Sequence, residues 1–314
     1  MPTSTSIARH RFAVVTAAAT YVLLFLGGLV TSTGSGLAVP DWPLSFGQVF
    51  PSMVGGVLFE HGHRLAASTV GLLTLILSIW TVASETRPGV RILGIAMLVA
   101  VVLQGVLGGV TVLYKLPLAV SVTHACLAQV FFCLTVTMAV VTGPAWGSPR
   151  ARPLELGAPL PALAACATAA VFVQLVLGAL VRHTGAGLAI PDFPLAFGRL
   201  LPPLETPLVA VHFAHRVGAV LVTGVLLAVA TVVFRQHAAD RRLVRLVTLA
   251  LGLLALQITL GATIVWTHRA VLPTTTHLVI GAGLLATSLV TTLRAGRAAS
   301  RTVHAPSLDH AVTA

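Results

Sequence analysis

The sequence predicts an all-α polytopic membrane protein whose eight transmembrane helices form two pseudosymmetric four-helix bundles. Three observations predict it. Of 314 residues, 56% are hydrophobic and only 9% charged, whereas a soluble domain carries about 25% charged residues. The apolar residues fall into eight runs of roughly 20 residues, about the length that crosses a bilayer. The second half of the chain repeats the first. A soluble enzyme and a disordered chain are excluded by this composition. Cys126, Cys133 and Cys166 all lie inside apolar runs, which excludes a disulfide scaffold.

The runs cover residues 12–31, 56–83, 91–113, 118–143, 159–181, 207–234, 243–266 and 271–293. Arg9 and Arg11 precede the first, as they would in a signal peptide. Its small residues, Ala17 to Ala19, come at its start instead of its end, and it has a repeat partner deep in the chain, so it is retained as a helix. The second run carries Glu60, His63 and Arg64. The third carries Gln104 with Gly105, Gly108 and Gly109, and the fourth His124. The fifth contains Leu177-Gly178, matching Leu26-Gly27 of the first. The sixth contains His215-Arg216, the seventh Gln257 and Gly261, and the eighth His277. The paired glycines allow close approach of helix backbones.

The net charge of +11 is mainly a topology signal. Thirteen of the 19 Lys and Arg residues fall on the face that holds both termini, and four fall on the other face. The positive-inside rule then places both termini in the cytoplasm of a plasma-membrane protein. Nucleic acid is not an expected partner; membrane lipid is. The two basic residues left over, Arg64 and Arg216, lie inside predicted helices.

The repeat is clearest in two loops, Gly34 to Gly47 and Gly185 to Gly198, identical at ten of fourteen positions at an offset of 151. His63-Arg64 matches His215-Arg216 at an offset of 152, and Gln104 matches Gln257 and His124 matches His277 at 153. The predicted organisation is an N-terminal half over 1–148, a linker over 149–157, a C-terminal half over 158–294 and a disordered cytoplasmic tail over 295–314. Four spans return the chain to its starting side, so the halves share one orientation about a pseudo-twofold along the membrane normal.

Ionisable residues inside spans are costly and by default functional. Those that recur are His63, His124, His215 and His277. Each lies about six residues inside its helix from the face opposite the termini, roughly 10 Å deep. Two histidines at matched depth on neighbouring helices suit an axially ligated haem iron; a zinc ion wants three or four ligands together. Interhelical hydrogen bonding is the alternative. Arg64 and Arg216 either reach towards lipid headgroups or pair with a haem propionate. The halves differ where Glu60 stands opposite His212, which puts a carboxylate beside one histidine pair alone.

These residues resemble the haem A synthase family over essentially the whole chain. The carriers are Gly34-Ser-Gly-Leu-Ala, Pro40-Asp-Trp-Pro, Glu60-x-x-His63-Arg64, His124, His215-Arg216 and His277. The resemblance implies oxidation of a ring methyl of haem O to the formyl group of haem A, for terminal oxidase biogenesis. It implies substrate haem at His63 and His124, a haem b cofactor at His215 and His277, and Glu60 as the catalytic carboxylate. A haem O synthase (protohaem farnesyltransferase) and cytochrome oxidase assembly factors are implied partners, with an unidentified electron acceptor. The rival is a di-haem b-type cytochrome exchanging electrons with membrane quinone. One departure is visible. Many family members carry cysteine pairs in these loops, where this chain has Val39 and Ser45, and Ile190 and Ala196. Pro40, Trp42, Pro43 and Phe46 suggest a stiff cap over the haem edge in their place.

Overall fold

The computed structural model describes residues 4–147 and 160–303. Eight long helices form there: α1 (Ser4–Ser32), α2 (Gly56–Ser84), α3 (Pro88–Leu113), α4 (Leu118–Thr142), α5 (Leu160–His183), α6 (Pro207–Gln236), α7 (Arg241–Trp266) and α8 (Val271–Val303). All eight are long and apolar enough to cross a membrane. Among the described residues the only bridges between extended segments are two isolated ones, Ser45 with Gln48 and Ala196 with Arg199. The predicted linker at 149–157 lies outside the described residues. The start of the predicted tail does not stay irregular, because α8 runs on to Val303; the remainder lies outside the described residues.

Helix ends follow local chemistry. Pro88 and Pro207 occupy the first turns of α3 and α6, where a missing N–H costs nothing. Thr206 caps α6 by accepting the Val209 N–H, and Asp240 caps α7 by accepting those of Arg242 and Leu243. The short α3–α4 and α7–α8 connections repeat one geometry. Lys115 and Leu116, and likewise His268 and Arg269, adopt positive φ, and the Leu116 and Arg269 N–H groups close on Thr111 and Ile264 carbonyls at 2.7 and 2.8 Å.

Within each half, the first helix packs on the second and fourth, and the third closes the ring. The halves meet through α1 on α8, α4 on α5 and α4 on α8, as a twofold running between α4 and α8 requires. One apolar core forms around Leu77, Met97, Phe131 and Met138, and the other around Val229, Val233, Leu243 and Leu285. Both lie towards the end that carries the termini. The opposite half of each bundle, beneath the 33–55 and 184–206 loops, is where the histidines sit. Large apolar side chains such as Ile79, Ile92, Val102 and Val220 face outwards, as lipid contact requires.

At the terminal end, Arg9 is buried and does more than orient the chain. Its guanidinium donates to Ser84 Oγ at 2.7 Å and to Glu85 Oε2 at 2.6 Å, while Arg87 also reaches Glu85 at 2.8 Å. The Arg87 hydrogen bond holds the Glu85 carboxyl down to about 2. The carboxylate therefore contributes stability fully above its ordinary value of 4.5, and that contribution is lost as pH falls towards 2. Replacing Glu85 with Ala strands the Arg9 cation and is expected to cost about 3 kcal/mol. Chemical denaturation in detergent checks this, and Glu85→Gln is expected to remove the acid-dependent part of the loss.

Candidate haem-binding site

Each of the four repeated histidines lies against a glycine on the helix before it. A Cβ at Gly27 on α1 would stand 3.0 Å from His63 Cε1, and one at Gly178 on α5 3.2 Å from His215 Cε1. Gly108 on α3 and Gly261 on α7 face His124 and His277 in the same way, each at 3.4 Å. The glycines thus leave the space an imidazole needs beside a helix backbone, and they do so in all four places the repeat dictates.

The His215 and His277 rings have centroids 6.4 Å apart and planes inclined at 68°. Two imidazoles bound at about 2 Å to one metal between them place their centroids about 6 Å apart, so this pair is spaced for axial ligation. His63 and His124 lie within electrostatic range of each other. The Nδ1 atoms of His63, His124 and His277 are buried without a partner. Among the described residues no group of three His, Cys, Asp or Glu side chains comes together to hold a metal ion. A donor set of two histidines per half does not suit a bare ion, but it suits a porphyrin, which brings its own equatorial nitrogens.

A glutamine braces two of the rings. Gln104 Nε2 donates to the His124 carbonyl at 3.0 Å and lies 3.3 Å from its Nε2. Gln174 Nε2 donates to the His215 carbonyl at 2.8 Å and lies 3.0 Å from its Nδ1. Sequence reasoning found the Gln104 and Gln257 repeat and missed Gln174. Its counterpart is Leu23, so a search for what repeats passes over it.

The two loops close over this end by one shared construction. Asp41 accepts the Phe46 and Gly47 N–H groups at 2.7 and 2.8 Å, and Asp192 accepts those of Phe197 and Gly198 at 2.7 Å each. These backbone bonds hold both carboxyls below the usual range, chiefly those from Gly47 and Gly198. Phe46, Gly47, Phe197 and Gly198 all have positive φ, which explains the repeated glycine. Trp42-Pro43 and Phe193-Pro194 are cis.

Arg64 and Arg216 pin the loops down. Arg64 donates to the carbonyls of Asp41 (2.7 Å), Leu44 (2.9 Å) and Val39 (3.2 Å), and to Glu60 Oε1 at 2.6 Å. Arg216 donates to those of Asp192 (2.7 Å), Leu195 (2.8 Å) and Ile190 (3.3 Å). The terminal amino groups of Arg64 thus bond the 33–55 loop and Glu60 on α2.

Glu60 and His212 share a structural position as well as an alignment. Glu60 Oε2 accepts the Val39 N–H at 2.7 Å, while His212 Nδ1 accepts that of Ile190 at 3.3 Å. Each also meets the arginine one turn on, His212 through Arg216 Nε at 3.4 Å. The architecture is common to both halves, and the negative charge is not. The first half adds a buried Ser45 Oγ to His61 Nδ1 contact of 2.8 Å, a pair that Ala196 and Phe213 cannot make.

Val39, Ser45, Ile190 and Ala196 are all buried, so the family's cysteine positions here pack as loop core. Of the aromatic cap residues, Trp42 lays its indole against α3, where a Cβ at Gly109 would come within 2.7 Å of it, and is otherwise exposed. Phe46 remains exposed.

Residues 53–289 match the COX15-CtaA family, described as cytochrome oxidase assembly proteins. The chain belongs to that family. The matched stretch contains Glu60, both arginines and all four histidines. Proteins named "Heme A synthase" are similar over most of their length. The one from Shouchella clausii is 31% identical over 83% of this chain and 88% of its own. The one from Halalkalibacterium halodurans is 31% identical over 86% and 91%, and that from Symbiobacterium thermophilum 35% identical over 75% and 78%. The similarity to those relatives therefore covers three quarters or more of the chain, and not one motif.

Proposed function

We propose that this multi-pass membrane protein is a haem A synthase, an oxidoreductase that converts a ring methyl of haem O into the formyl group of haem A. One observation carries the reading. Four histidines, each seated on a glycine, form one pair per half in a chain whose relatives bear that name. A plain di-haem electron carrier has no feature in its favour, because it gives no use for Glu60 opposite His212.

The halves divide the work. His215 and His277 hold the resident haem b, the assignment the family resemblance implies, with Gln174 packed against the His215 ring. His63 and His124 hold the substrate haem. Each pair has one ring beside a glutamine side chain, His124 at Gln104 and His215 at Gln174, so what supports the division is the resemblance and the carboxylate of Glu60 that the first half alone carries. When bound, the resident haem supplies electron transfer.

Glu60 keeps a fixed negative charge beside the substrate pair, held in place by Val39 N–H and Arg64. Such a charge stabilises positive charge developing at the reacting carbon and provides a base for its protons. Arg64 and Arg216 keep the loops closed and water out. The basic residues on the terminal face place the termini in the cytoplasm and the histidine pairs towards the outer face.

Acid extraction and chromatography of pigment from purified protein tests the reading. Haem B together with haem O or haem A is expected; haem B alone, two per chain, contradicts it. Gln174→Leu, which copies the first half, is expected to weaken retention of the resident haem by about tenfold or more, measured from the haem-to-protein ratio through purification.

A further inference from the structure

The strongest unexplained feature is a cation at the seam between the halves. Arg182 ends α5, and its Nη2 donates across the seam to the Gly28 carbonyl at 2.7 Å and to Ser32 Oγ at 2.8 Å on α1. A guanidinium has five N–H groups, so Nε and Nη1 keep theirs without a partner among the described residues, and neither is sealed from outside. The ion pairs among the described residues are Arg9–Glu85, Arg87–Glu85 and Arg64–Glu60, and Arg182 is in none of them.

A second cation stands close by. The Arg269 side chain lies over the turn at Gly187, with its Cδ 3.6 Å from where a Cβ there would be. The two like charges lie within electrostatic range of each other. Keeping two cations together, one of them half-buried, is unfavourable unless an anion joins them.

Location and asymmetry narrow the anion. Ser32 Oγ, which accepts from Arg182, also accepts from Thr275 Oγ1 at 2.9 Å, two residues before His277 on α8. The first-half counterpart is Thr31, which turns back on its own helix to bond the Gly27 carbonyl at 3.3 Å. The cation is therefore no part of the shared scaffold.

We propose that Arg182, assisted by Arg269, binds a propionate carboxylate of the haem ligated by His215 and His277, an inference that rests on the haem reading above. Charge-assisted bonds from a guanidinium to a carboxylate are strong and directional. In tying that carboxylate to α1 through Gly28 and Ser32, Arg182 also couples the resident haem to the helix on which His63 rests.

The test uses the full chain, produced in haem-depleted cells and titrated with haem B and with haem B dimethyl ester, whose carboxylates are blocked. Unsubstituted protein is expected to prefer the free acid by about tenfold. Arg182→Gln is expected to abolish that preference while still giving bis-histidine absorption. Arg182→Lys is expected to keep part of it. Ser32→Ala, which removes a seam contact and no charge, is expected to keep all of it. If Arg182→Gln weakens both ligands equally, or leaves the preference intact, the proposal is overturned and Arg182 only ties the seam. If the preference follows the anionic lipid content of the vesicles instead of esterification, the site takes a lipid headgroup and the proposal is again overturned. Failure of the haem reading shows differently, as an unsubstituted chain that binds neither porphyrin.

Discussion

Glu60→Gln is expected to leave both histidine pairs loaded and to slow conversion of haem O to haem A by about 100-fold or more, the scale of losing a proton acceptor or a fixed charge at a reacting centre. The amide is close in shape to the carboxylate and its oxygen can still accept the Val39 N–H; its NH2 then faces the Arg64 Nη2 donor, so the loop is held by the Arg64 bonds to the Asp41 and Leu44 carbonyls. Two companion variants separate charge from architecture. Glu60→His installs the residue the second half uses at this position, where His212 already meets Ile190 and Arg216. It is expected to preserve the cap and still lose conversion. Glu60→Ala is expected to lose both, because the buried Val39 N–H is left without an acceptor, at about 1–3 kcal/mol, and Arg64 without its ion-pair partner. Haem A formed per haem O supplied, measured alongside total haem content, checks all three. Full conversion by Glu60→Gln or Glu60→His would remove Glu60 from the mechanism and leave it a loop acceptor.

The second large effect comes from the glycines beneath the histidines. Gly178→Val pushes a branched side chain into space where a Cβ alone would already be 3.2 Å from His215. It is expected to displace that ring and strip the resident haem. Gly27→Val does the same to His63, from 3.0 Å, and is expected to empty the substrate site while haem B remains. Overpacking of this kind costs about 1–3 kcal/mol, and about 1.4 kcal/mol is a tenfold change in affinity. Gly224→Ala, with open space around it, serves as the control and is expected to retain both pigments. Absorption spectra of the purified variants distinguish these outcomes.

Much of this was legible in the sequence because membrane proteins simplify the reading. The eight spans were visible as apolar runs, and the boundaries differ where charged residues join a helix. The first begins at Ser4 and not at residue 12, because Arg9 finds Glu85 across the bundle and need not end the helix. The last continues to Val303 beyond its apolar stretch. The four histidines and Glu60 stood out as ionisable residues in an apolar background.

What the sequence hid was direction. The glycines read as sites of helix contact, and only the structure shows that Gly27, Gly108, Gly178 and Gly261 each receive an imidazole. Arg64 and Arg216 read as residues that reach for lipid or a propionate, and the structure adds that both bond loop carbonyls. Gln174 and Arg182 escaped because the repeat was the guide, and both occupy positions where the halves differ. A comparison of the halves for their mismatches, with Leu23 against Gln174 and Thr31 against Arg182, carries that signal.

The central claim is that one half holds substrate and the other a resident cofactor. Chromatography of acid-extracted pigment from unsubstituted protein, His124→Ala and His277→Ala tests it most directly. The account predicts haem B with haem O or haem A in the unsubstituted protein, haem B alone in His124→Ala, and haem O without haem B or haem A in His277→Ala. If both variants instead keep the same pigment at half the amount, the two sites are equivalent and the division of labour is contradicted.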